Sequence, residues 1–164
     1  MHFITCVLAL LSSAAIVSAG KVTFWTLDDQ TRTVYFTSNE NKFPMDPVTV
    51  SNVEKTTVDF ADDFVGNFVA VPEGELYRDG MLGEVKFGGW GGMTFFDVSA
   101  IVVPDDKDNV HQMWPADSQS PMSGCEIFPC DNAYYIWDDV QTKATTEDHL
   151  ITTLGEGSTG INFA

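Results

Sequence analysis

The sequence predicts an all-β sandwich of about ten short antiparallel strands in a single domain. Three observations carry that expectation. β-Branched and aromatic residues come in short runs separated by Asp, Asn, Gly and Pro, the punctuation of a many-stranded sheet protein. No segment sustains an apolar stripe of helical period over three turns. The chain of 164 residues has no linker, repeat or low-complexity tract, and its length suits one domain with its own core.

Residues 1–19 read as a secretory signal. An apolar core over 4–11 precedes Val17-Ser18-Ala19, the small residues that a signal peptidase takes at −3 and −1. The run is too short to span a membrane stably, so residues 20–164 are expected as a secreted, monomeric domain. Residues 21–27 and 31–37 are β-rich and separated by Asp28-Asp29-Gln30, a hairpin signal. Residues 48–53 and 56–60 follow as strands with a turn near 52–55, and 68–71 is a short strand ended by Pro72.

The central feature is a second hairpin. Residues 82–87 and 93–101 are β-forming runs joined by Gly88-Gly89-Trp90-Gly91-Gly92, where glycines admit positive φ. Alternation puts Leu82, Glu84 and Lys86 on one face of the first strand, and Met93, Phe95 and Asp97 on one face of the second. Each strand thus carries one carboxylate in an apolar setting. Either each carboxylate accepts backbone N–H bonds near a strand end, or Glu84 and Asp97 together form an acidic site. Beyond it, Pro104-Asp-Asp-Lys-Asp-Asn109 stops the sheet. Residues 111–114, 132–136 and 149–154 read as the last strands, with a helical turn over 140–148.

Charge and cysteines narrow the chemistry. Aspartate and glutamate total 24 against eight Lys and Arg, a net charge of −16. The basic residues are scattered singly, which disfavours nucleic acid as a partner, since phosphate backbones are bound by clustered Lys and Arg. Cys6 leaves with the signal, so Cys125 and Cys130 form an even pair expected to be a disulfide in an oxidising compartment. Residues 105–109 lack the glycine and distal Glu of a calcium loop and read as a solvated turn. Neither a metal nor a cofactor is expected. Trp25, Trp90, Trp114 and Trp137 are either core residues or stacking platforms, and Trp90 at its glycine-rich turn is the one expected to be exposed.

The runs Leu82-Gly-Glu-Val-Lys-Phe and Phe95-Phe-Asp-Val-Ser-Ala-Ile resemble the central strand pair of thaumatin-like proteins. Gly124-Cys-Glu-Ile-Phe-Pro-Cys, Asp138-Asp-Val-Gln-Thr-Lys and Asp148-His-Leu-Ile-Thr-Thr resemble small secreted fungal members of that family, some of which carry the name "DNase1 protein". The similarity covers most of the chain after the leader. It implies a thaumatin-like sandwich with Glu84 and Asp97 in an acidic cleft, and it matches Arg78 loosely to an Arg upstream of the Glu. In plant relatives a further Asp follows the first by five residues; here Val102 stands at that position. Catalysis needs a complete constellation and binding does not. The resemblance therefore implies a cell-wall or surface binding protein, taking β-glucan or a host protein through Arg78, Glu84, Trp90 and Asp97. A weak β-1,3-glucan hydrolase using Glu84 and Asp97, and a secreted adhesin or effector, are the alternatives.

Overall fold

The computed structural model describes residues 18–163. The expected leader, apart from Ser18 and Ala19, lies outside the described residues. Eleven strands run in chain order: β1 (Ser18–Thr26), β2 (Arg32–Ser38), β3 (Val48–Val50), β4 (Thr56–Ala61), β5 (Val65–Pro72), β6 (Leu82–Lys86), β7 (Thr94–Ser99), β8 (Val110–Pro115), β9 (Ser123–Gly124), β10 (Lys143–Thr145) and β11 (His149–Leu154). They form two sheets, β4-β1-β11-β8-β9 and β10-β7-β6-β5-β2-β3. Two 3-10 turns are the only helical segments among the described residues.

Period-two alternation fills the space between the sheets. Val22, Phe24, Phe60, Met113, Leu150 and Leu154 come from the five-stranded sheet, and Val34, Phe68, Val85, Phe96 and Val98 from the six-stranded one. Phe24 and Phe68 meet edge to face across the gap, with ring centroids 5.1 Å apart. Gly83 makes room in this layer: a Cβ there would fall 2.3 Å from the Phe68 ring. That close approach keeps β6 flat against the core, with Glu84 turned to the opposite face.

The all-β sandwich stands, with four corrections to its details. First, the expected strand over 132–136 is absent, and Tyr134 makes only an isolated bridge to Ser99. The expected hairpin of 21–27 with 31–37 does not form, because β1 and β2 belong to different sheets. The Asp28 carboxylate accepts both Nη atoms of Arg32, at 2.6 and 2.5 Å, and the Gln30 N–H, which fixes the segment as a corner between sheets. Strand runs flanking Asp-Asp-Gln fit a hairpin and a corner equally well. Not every pair is antiparallel: β1 runs parallel to β11 from Lys21↔His149 to Thr26↔Leu154. The helical turn over 140–148 is replaced by β10, which extends the six-stranded sheet through Ala144↔Phe95.

Candidate functional site

The β6–β7 hairpin forms as expected, with Gly91 and Gly92 at φ +68° and +75° in its turn. Its register places Glu84 directly opposite Asp97. Directly opposed Cβ atoms in an antiparallel pair lie about 4.5–5.5 Å apart. The two carboxyls share one face, and a hydrogen bond between them forms when one is protonated.

The surroundings of Asp97 are poor in donors. Its side chain is 7% exposed, and Oδ1 has no hydrogen-bond partner. Thr142 Oγ1 donates to Oδ2 at a long 3.3 Å, and that hydroxyl is in turn 2.8 Å from the Tyr134 hydroxyl. Burial first, then the charge of Glu84 and the hydrogen bond with it, push the Asp97 carboxyl up to about 7; Thr142 and Lys143 oppose the shift. The pair therefore holds a proton near neutrality, as two carboxylates in one site do.

A cleft of about 430 Å³ opens above the pair. Val65, Phe95 and Ile101 supply apolar lining, Lys86 a cation, and Tyr134, Trp137 and Thr142 the far wall. That wall belongs to the segment following the Cys125–Cys130 disulfide. Asn132 Nδ2 donates to Met122 O at 2.8 Å, and Tyr134 bridges to β7 by accepting Ala100 N–H and donating its own N–H to Val98 O. These bonds strap the segment across the edge of the sheet. Trp137 stays 85% exposed at the cleft's rim.

No family model matches the chain. Over 144 residues, which are 88% of this chain and all of the relative, it is 59% identical to antigenic protein SchS21 of Stachybotrys chartarum. The chain belongs to the SchS21 family.

In this SchS21 relative the other residues singled out in the sequence sit apart from the cleft lining. Arg78 donates from Nε to Glu75 at 3.0 Å and from Nη2 to Asp108 at 2.8 Å. Trp90 is 85% exposed, as its turn predicts, but does not line the cleft. Trp114 is buried, and Trp25 lies under the Lys55 ammonium at 3.5 Å from its ring centroid. Of the four candidate tryptophans it is Trp137, not Trp90, that lines the cleft, while the sequence does not single out Tyr134 and Thr142, because their segment reaches the cleft only through tertiary bonds. A second hollow of about 380 Å³ holds His111, Glu126, Phe128 and Glu156. His111 is 4% exposed, its Nε2 lies 3.2 Å from the Asp106 carbonyl, and burial keeps its pKa below the ordinary value. Among the described residues, no group of three or more His, Cys, Asp or Glu side chains is placed to hold a metal ion.

Proposed function

We propose that this protein is a secreted thaumatin-like binding protein that holds a wall polysaccharide in the Glu84–Asp97 cleft without cleaving it. The single observation behind the reading is the opposed carboxyl pair in a cleft lined by exposed Trp137 and half-buried Tyr134. Carboxylates accept hydrogen bonds from sugar hydroxyls, while an aromatic face packs on the apolar face of a pyranose ring. The disulfide fits an oxidising compartment outside the cell.

The spacing argues for binding over hydrolysis. A retaining glycosidase holds its carboxyls about 5–5.5 Å apart and an inverting one about 6.5–9.5 Å. Directly opposed residues on paired strands hold their Cβ atoms about 4.5–5.5 Å apart, short of the span that leaves room for an inverting water. The β-1,3-glucan hydrolase reading draws support from the proton kept on the pair near pH 7, which is what a general acid requires.

The test is calorimetric titration with laminarin oligosaccharides, followed by a reducing-end assay on the same mixture. Saturable heat without new reducing ends is the expected result. New reducing ends that vanish in Glu84→Gln would replace the binding reading with the hydrolase. A Glu84→Gln/Asp97→Asn variant that binds as well as wild type would sink the cleft assignment.

A further inference from the structure

Building on the polysaccharide reading of this cleft, we propose that its preferred ligand is an amino sugar polymer, a glucosamine-rich chain whose ammonium group docks between Glu84 and Asp97.

The floor of the cleft is arranged for a cation. Two acids face each other across β6 and β7, and Asp97 Oδ1 is buried with no donor directed at it. Like charges at this distance repel, and a buried acceptor without a donor is left with its desolvation uncompensated. A neutral hydroxyl could give Oδ1 one hydrogen bond but would leave the pair dependent on a bound proton to relieve its repulsion. An ammonium brings three donors and a full positive charge, so it answers both defects at once.

The wall is arranged for a sugar bearing that cation. Trp137 stands exposed at the rim of a cleft that Tyr134 also lines, and the cleft's volume of about 430 Å³ far exceeds what a bare metal ion would fill. Aromatic faces attract ammonium groups and also pack against pyranose rings. The charged and titratable groups facing Asp97 are Glu84 and Lys86 on β6, Lys143 on β10, and Tyr134 on the strapped segment. The two lysines stand against a pair of acids, and Lys86 is exposed to solvent, where its charge is screened. The net charge of −16 favours approach of a polycation over that of a neutral chain.

An ammonium that displaces the proton held by the pair must release it. Binding of the amino sugar should therefore liberate a proton below pH 7, and the affinity should rise with pH until the sugar amine itself loses its charge. Neutral sugars should show neither effect.

The experiment is calorimetric titration of wild-type protein with three hexasaccharides, those of glucosamine, N-acetylglucosamine and β-1,3-linked glucose. It is run at pH 6 and about 0.15 M salt in two buffers of different ionisation enthalpy. Glucosamine hexamer is expected to bind at least about tenfold more tightly than the other two and to release a proton. Asp97→Asn and Glu84→Gln should each level that preference while keeping weak binding, and Trp137→Ala should weaken all ligands together. Equal affinities, or a preference for the glucose hexamer, would overturn the amino sugar while leaving the cleft reading intact. A preference that survives in Asp97→Asn and Glu84→Gln would also overturn it, by tracing the effect to diffuse surface charge. Absence of binding by all three would remove both the inference and the reading beneath it.

Discussion

Asp106 and Asp97 are buried to nearly the same depth, 6% and 7% exposed, and their surroundings are opposite. Asp106 Oδ2 accepts Met81 N–H at 3.0 Å and Asn109 Nδ2 at 2.9 Å, and Oδ1 accepts Asp108 N–H at 2.9 Å. Asp97 has one long bond from Thr142 and a second acid in front of it. Burial alone therefore does not tell a structural carboxylate from a functional one; the set of donors does. Where backbone and amide N–H groups meet a buried carboxylate, it organises loops. Where an acid meets it in an open cleft, the fold carries a local instability that a ligand can relieve.

The largest effect should come from the satisfied side of this contrast. Asp108, whose N–H is held by Asp106, lies 4.0 Å from Arg32, which is 0% exposed and bound by both Nη atoms to Asp28. Burial alone would raise the Asp28 pKa; the hydrogen bonds from Arg32 and the Gln30 N–H outweigh it and hold it below the ordinary value. Arg32→Ala empties a buried site and strands Asp28 at the corner between sheets. A loss of roughly 3–5 kcal/mol is expected, seen as a fall in Tm on the order of 10 °C. A loss under about 1 kcal/mol would place this corner with ordinary surface pairs and dissolve the contrast.

Asp97→Asn should act in the other direction. The folded carboxyl titrates near 7, above its ordinary 3.8. Its stabilising contribution is complete below about pH 4 and is lost as pH rises through 7. At pH 8 the ionised pair opposes folding, and the amide removes one of the two charges, so the variant should be more stable there by about 1–2 kcal/mol. The advantage should shrink to nothing near pH 4. His111 works with the opposite sign, because burial lowers its pKa from 6.5; its contribution is present above that value and lost as pH falls. Melting curves of both proteins from pH 4 to 8 separate the two, since His111 is common to them and cancels in the difference. A difference that stays flat across this range would show that Asp97 is not strained by Glu84.

The dyad itself was legible in the sequence. Glu84 and Asp97 occupy equivalent faces of two clear strand runs, and the glycine-rich turn between them sets the pairing. The division into two sheets was not, because Asp28-Asp29-Gln30 and residues 52–55 look like hairpin turns whether the flanking strands pair or part. Nor was the far wall. β10 is a three-residue strand without alternation, and Trp137 reaches the cleft through bonds made by Asn132 and Tyr134 to distant backbone. Such contacts depend on where the chain folds back, which no local pattern encodes.

Arg78 gives the smallest and sharpest comparison. The family resemblance places a matching arginine in the acidic cleft, whereas the geometry pairs this one with Glu75 and Asp108. Both of its partners are partly exposed, and so is Arg78 itself, with 38% of its side-chain surface open to solvent. Pairs of this kind contribute about 0–1 kcal/mol after screening and side-chain ordering are counted. Arg78→Ala should therefore lower stability by less than about 1 kcal/mol and leave oligosaccharide affinity unchanged. Loss of affinity with stability intact would bring Arg78 back to the ligand and require the 75–80 loop to move when the cleft fills. Loss of stability well beyond the surface range would instead join Arg78 to the Arg32–Asp28 corner, since Asp108 is the residue through which the two arginines meet.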